Sequence, residues 1–376
     1  MEHSGRDLCA RSRRSFLKFS AMTAGSAVLA GCRRAGDRSG SRLQSPTIIS
    51  PTATSHPTPG SIDTPAPAST QKIDSTGRVV LVRTDDRSRG IRRALELWDH
   101  NTVVGKDLFL KPNLNSADPF PGSTDVETLH VLINCLTSMG ADQITIGDRS
   151  GMGNTRAVMQ SKGVFTLAEE MGLSTLIFDD LGAEDWEILQ LQGSHWSHGF
   201  AVPKPVMASD GVVQTCCLKT HRYGGHFTLS LKNSVGLAAK RIPGQGHDYM
   251  AELHNSSHQR KMIAEINQAY QPELVVLDGM EAFVDGGPAK GTKVTPGVIL
   301  VASDRVAIDA VCVAILRYYG TTPAVSSGPV FEQEQIARAV ELGLGAINAE
   351  GIEIITGDDQ SRAFADALGA LLADSR

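Results

Sequence analysis

The residues best equipped for chemistry lie at 216–236, in CCLKTHRYGGHFTLSLKNSVG. Lys219, His221 and Arg222 follow an apolar run, Gly224-Gly225 marks a turn, and Lys232 and Asn233 sit in a short helical stretch. The pattern predicts a strand ending near Leu218, a loop, and a helix that Gly236 closes with a left-handed cap. Cations, an imidazole and an amide held between buried elements suit one small anionic group. The same residues also fit a solvated basic loop, so the choice depends on the elements that hold them.

Apolar, β-rich runs occur at 78–83, 107–111, 143–147, 175–178, 212–215, 274–278, 298–302 and 352–355. Helical patterns lie between them at 91–100, 125–139, 259–270, 306–319 and 332–342. Continuous apolar runs, unlike alternating ones, fit strands covered on both sides. The expectation is an α/β protein with a mostly parallel β-sheet covered by helices on both faces, as one domain or two lobes. Ligand groups collect at the carboxyl ends of such strands. Lys111-Pro112-Asn113, Asp148, Lys219-Thr220-His221, Asp278 and Ser303-Asp304 each follow a run, which predicts a shared polar cleft.

Within that cleft Lys111, Asn113, Asp148, Lys232 and Asn233 are candidate substrate-binding residues, and His221, Lys219 and Asp278 candidate catalytic ones. Neighbouring cations should disfavour a proton on His221 and a carboxylate should favour it, leaving the ring poised near neutrality for proton transfer. The alternative is that His221 only holds the glycine turn. Asp304, Asp309 and His254 are candidate ligands for a divalent ion, although Asp304 also fits an N-cap for the helix that follows. His254 and His258 are four apart, but Asn255-Ser256-Ser257 reads as a helix cap between them. The glycine-rich turn at 147–153 offers backbone amides to an anion or is a plain tight turn.

The N-terminal part carries an address. Ser12-Arg13-Arg14-Ser15-Phe16-Leu17-Lys18 matches a twin-arginine export signal, and Leu29-Ala30-Gly31-Cys32 matches a lipobox with Cys32 as the lipidated residue. Residues 1–32 are therefore read as signal, 33–76 as a Ser/Thr/Pro-rich tether and 77–376 as the folded part. The expected partners are the twin-arginine export machinery, the membrane through a lipid anchor, and a small anionic ligand. The expected location is extracytoplasmic. A net charge of −5 argues against nucleic acid, and 5% aromatic residues argue against stacking platforms. No Cys-x-x-Cys occurs, so an iron–sulfur cluster lacks its usual ligands. The cofactor stays unknown, with a divalent metal as one alternative.

The ordered set KPN (111–113), IGDRSG (146–151), LKTH (218–221), SLKNSVG (230–236), His254, LVVLDGMEAF (274–283), DGGPAKG (285–291) and ASDRVAIDA (302–310) resembles the DUF362 family. That family's biochemical role is not generally settled. Some members carry a ferredoxin-like module, whose cysteines this chain lacks. The general layout is also similar, more distantly, to the lactate racemase family, in which histidines and a lysine serve a nickel pincer cofactor and a 2-hydroxy acid. Two functions are open: an exported enzyme acting on a small carboxylate or phosphate, with or without metal, and a tethered binding protein without chemistry. An enzyme should place His221 beside a carboxylate. A binding protein should show two similar lobes and a hinge.

Overall fold

The structure, a computed structural model, describes residues 77–373. The twin-arginine motif, Cys32 and the tether lie outside the described residues. Its strands are, in chain order, β1 (Gly77–Arg83), β2 (Asp107–Lys111), β3 (Gln143–Asp148), β4 (Ser174–Ile177), β5 (Trp186–Leu189) and β6 (Phe200–Pro203). They continue as β7 (Gly211–His221), β8 (His226–Thr228), β9 (Pro272–Gly286), β10 (Gly291–Val294), β11 (Val298–Ala302) and β12 (Ile352–Ile355). One large sheet runs β12-β1-β11-β9-β7-β2-β3-β4, with β8 and β10 added as hairpin partners of β7 and β9. Neighbours from β9 through β4 pair in parallel, and so do β1 and β12. β11 runs against both β1 and β9.

Side chains alternate across each strand, and both faces are apolar. Val79 and Leu81 join one core with Val275, Leu277, Val298, Leu300 and the helix Arg305–Tyr318. Val80 and Val82 join the other with Val276, Ile299, Val301 and the helices Arg87–Trp98 and Val126–Ser138. Phe109 and Val212 pack into a third cluster with the helices Tyr249–Asn255 and Gln259–Ile266. Burial on both faces is why these strands read as unbroken apolar runs. The described residues fall into a single unit, so the two-lobe alternative is not realised within them. Among the described residues no helix is long and apolar enough to cross a membrane.

β11 changes the expected arrangement of strand ends. Because it is antiparallel to β9, its carboxyl end lies at the sheet edge opposite to those of β2, β3, β7 and β9. Ser303 and Asp304 are therefore on the wrong edge for the predicted cleft. Asp304 caps the helix Arg305–Tyr318, accepting from the N–H groups of Val306 (2.8 Å), Ala307 (2.9 Å) and Ala346 (2.7 Å).

Candidate functional site

The last residues of β2 and β3 meet. Lys111 Nζ lies 2.7 Å from Asp148 Oδ1, and both side chains are almost fully buried. Asp148 also accepts from the N–H groups of Leu114 (2.8 Å) and Arg149 (2.6 Å). Burial pushes the Lys111 pKa down and the Asp148 pKa up, and each charge opposes the other's shift. Gly236 passes directly over this pair: a Cβ there would stand 2.6 Å from both Asp148 Oδ1 and Lys111 Nζ. Gly236 lies in a 3-10 turn without a positive φ, so close approach to the pair, and not a left-handed cap, is what requires glycine.

β7 continues past Leu218 and carries Lys219 and His221 within the strand. Lys219 is fully buried, and its Nζ donates to the Gly122 carbonyl and, at 3.3 Å, to Asn113 Oδ1. Burial lowers its pKa, and no carboxylate pairs with it among the described residues. Beyond the turn, where Gly224 has a φ of 81°, β8 sets Thr228 opposite Lys219. The helix Ser230–Asn233 follows. Asp309 fixes its start, accepting from Ser230 N (2.8 Å), Ser230 Oγ (2.6 Å) and Leu231 N (3.0 Å). Asn233 Nδ2 donates to Thr215 O (3.3 Å) and Lys111 O (3.5 Å), tying the same helix to β7 and β2.

These residues close on a cavity of ≈ 50 Å³ lined by Lys111, Asn113, Asp148, Arg149, Lys219 and His221, with Thr228, Lys232 and Asn233 completing the wall. A water needs about 10–15 Å³ on this scale, so the space holds a group of a few heavy atoms. His221 Nδ1 and Thr228 Oγ1 are buried there without a hydrogen-bond partner. Native proteins rarely leave buried polar atoms unmatched, which marks both as waiting for a ligand or water. Burial, then Lys232 and Lys219, depress the His221 pKa to about 2. Lys232 keeps some exposed surface; burial, then Lys219 and Arg149, lower its pKa to about 7.

The match to the DUF362 family model, described as a domain of unknown function, spans residues 108–314. That is more than half of the 376-residue chain and contains every residue of the cavity. The chain belongs to the DUF362 family. A similar curated protein is the thylakoid-associated protein sll1697 of Synechocystis sp., 25% identical over 222 residues, which are 57% of this chain and 64% of that protein. The DUF362 chain thus spans less than two thirds of that relative's length. The lactate racemase apoprotein from Thermoanaerobacterium thermosaccharolyticum aligns over 63% of this chain and 56% of its own, with 15% identity and a TM-score of 0.39. A score that low carries no argument.

Several sequence-predicted residues of this DUF362 chain lie elsewhere. Asp278 does not line the cavity. It is buried under Arg87 (2.8 Å to Nε) and Thr128, and accepts from Met280 N at 3.1 Å. Arg87 in turn stacks on Phe120, in the loop whose Gly122 carbonyl receives Lys219. Asp309 is consumed in positioning the helix of Lys232; burial raises its pKa to about 7 against the pull of those donors. His254 is exposed and its Nδ1 bonds Met250 O at 2.6 Å. Asp304, Asp309 and His254 do not form a metal centre, and no group of metal-ligating residues occurs among the described residues. His258 stands at the N-cap of the next helix, so no continuous helical face joins it to His254.

Three amides of the glycine-rich turn are committed within the protein, while Gly151 lines the cavity. Arg149 N bonds Asp148 (2.6 Å), Ser150 N bonds Thr155 Oγ1 (2.9 Å) and Met152 N bonds Asn115 O (2.8 Å). Among the described residues no carboxylate pairs with His221, and burial with Lys232 and Lys219 holds the ring neutral, not poised near neutrality. Thr228 and Arg149 were not singled out from sequence. A lone threonine three residues past a glycine turn gives no signal of its own, while Arg149 sits inside the IGDRSG motif. A wider groove of ≈ 1080 Å³ opens beside Arg83, Asp85, Arg89 and Arg93. Its charges pair locally, Arg89 with Asp85 and Arg93 with Glu96, and it holds none of the buried unmatched atoms.

Proposed function

We propose that this DUF362 protein is an exported, membrane-tethered enzyme that moves a proton on a small carboxylate- or phosphate-bearing substrate. The observation that carries the reading is the convergence of Lys219, Lys232, His221 Nδ1 and Thr228 Oγ1 on one cavity, where among the described residues neither lysine forms an ion pair with a carboxylate. An anion there gains two ammonium groups in a low-dielectric setting and a hydroxyl partner. Lys232, with its pKa at about 7, is better matched to proton transfer near neutrality than His221 is. The Lys111–Asp148 pair and Asn233 hold the walls.

The missing carboxylate beside His221 favours a second reading, a binding protein that captures the same anion without chemistry. One experiment separates the two. The folded chain is incubated in deuterium oxide with two- to four-carbon carboxylates and phosphate esters, and carbon-bound deuterium is read by NMR. Exchange in the wild type that is lost in Lys232→Met supports the enzyme. Saturable binding without exchange supports the binding protein, and absence of both refutes an anion site.

Export and anchoring rest on the twin-arginine and lipobox motifs at Arg13, Arg14 and Cys32. The Synechocystis relative's name places that protein at thylakoids, in keeping with a membrane location here. Replacing Arg13 and Arg14 by Lys should trap the chain in the cytoplasm, and Cys32→Ala should release it from membranes. Unchanged fractionation of either variant refutes the corresponding signal.

A further inference from the structure

Lys232 differs from the other cavity lysines in having no acceptor among the described residues. Lys111 Nζ is held by Asp148 and by Pro112 O, each at 2.7 Å. Lys219 Nζ is held by Gly122 O and Asn113 Oδ1. No hydrogen bond or ion pair constrains Lys232 Nζ among the described residues. Its neighbour is equally unengaged: a Cβ added to Gly225 would stand 2.6 Å from Lys232 Cε and 3.1 Å from His221 Nδ1, so both flank one point. His221 Nδ1 has no partner, and neither has Thr228 Oγ1 on the same wall.

An amine that is desolvated and crowded by other cations loses its proton and becomes a nucleophile. Lys232 is crowded and partly desolvated: it keeps some exposed surface, and burial with the charges of Lys219 and Arg149 brings its pKa to about 7. The residual N–H capacity of Lys219 supplies what a carboxylate needs, and ≈ 50 Å³ suits an acid of two or three carbons. We propose that Lys232 forms an imine with the carbonyl carbon of a small 2-oxo acid whose carboxylate is received by Lys219 and Thr228. This rests on the anion-site reading above and names its substrate class.

The step balances without any external reagent. The Lys232 nitrogen lone pair forms the N–C bond while the carbonyl π pair moves to oxygen. One proton passes from the attacking nitrogen to that oxygen, beside the unpartnered Thr228 Oγ1 and His221 Nδ1. Expulsion of the hydroxyl as water, with the second amine proton, leaves the C=N bond. Nothing is oxidised or reduced.

The test is reductive trapping. The folded chain is mixed with glyoxylate or pyruvate and sodium cyanoborohydride, which reduces the imine to a stable secondary amine, and peptides are mapped by mass spectrometry. The expected result is an adduct on the peptide carrying Lys232, lost in Lys232→Arg. An adduct confined to Lys219, Lys111 or surface lysines overturns the proposal, whether or not the variants fold. Calorimetric pyruvate binding with no adduct at Lys232 overturns the imine while leaving the anion site standing. Failure of both pyruvate and inorganic phosphate to bind overturns the two together.

Discussion

Lys111 and Asp148, the last residues of two adjacent parallel strands, form an ion pair of 2.7 Å with both side chains shut away from solvent. It is the fixed wall against which the unpaired cations of the cavity are set. Within the pair each charge is balanced by the other.

Breaking that pair from one side should be costly. Asp148→Asn leaves a buried ammonium without its countercharge and should lower unfolding free energy by about 3–5 kcal/mol, read by urea denaturation. Lys111→Met combined with Asp148→Leu should be less damaging than either single change. A double variant as unstable as the sum of the singles would show that the two residues act independently.

Gly236→Ala separates two accounts of that glycine. At an ordinary φ and in open space, alanine would stabilise by about 0.4–1 kcal/mol. Here the new methyl would collide with Lys111 Nζ and Asp148 Oδ1, each 2.6 Å away. A loss of about 1–3 kcal/mol is expected, together with weaker phosphate binding. A raised melting temperature would refute the close-approach account.

Lys232 sets a pH dependence with a definite sign. Its folded pKa, about 7, is below the usual 10.5. Between those values the unfolded chain holds a proton that the folded chain has released, so this group makes stability rise with pH across the window. An anion favours the charged lysine, so phosphate should bind more weakly above pH 7 and with uptake of a proton. Calorimetry in buffers of different ionisation heat reads the uptake. In Lys232→Met both the uptake and this part of the stability slope should vanish.

Asp278→Asn and His221→Gln should affect different properties. Asp278 anchors Arg87 and Thr128 under the loop that serves Lys219, so its amide variant should lose about 1.5–3 kcal/mol of stability. Phosphate affinity per folded molecule should change by less than about threefold. His221→Gln should leave the melting temperature near that of the wild type and change phosphate affinity by more than about threefold, because it alters an unpartnered nitrogen of the cavity. The reverse pattern would return Asp278 to the reaction and make His221 the turn-holding residue.

The longer strands of the main sheet were legible in the sequence because burial on both faces writes an unbroken apolar run into each of them. Those runs located β1, β2, β3, β11 and β12 within about a residue. The motifs placed Lys111, Asn113, Asp148, Lys219, His221, Lys232 and Asn233 in one family pattern, and all of them line the cavity. The short strands β5, β6, β8 and β10 left too little pattern to be read, and Thr228 was hidden with β8.

Direction and neighbourhood were decided only by the tertiary structure. An apolar run does not record which way it will be laid into a sheet, and the reversal of β11 carried Asp304 to the far edge. A carboxylate likewise does not record its partner: Asp278 belongs to Arg87, and Asp309 to the start of the helix bearing Lys232. Charge state is the last thing a sequence holds. Whether Lys232 and His221 carry a proton depends on water removed and cations gathered by segments far apart in the chain, and those terms exist only once the chain has folded.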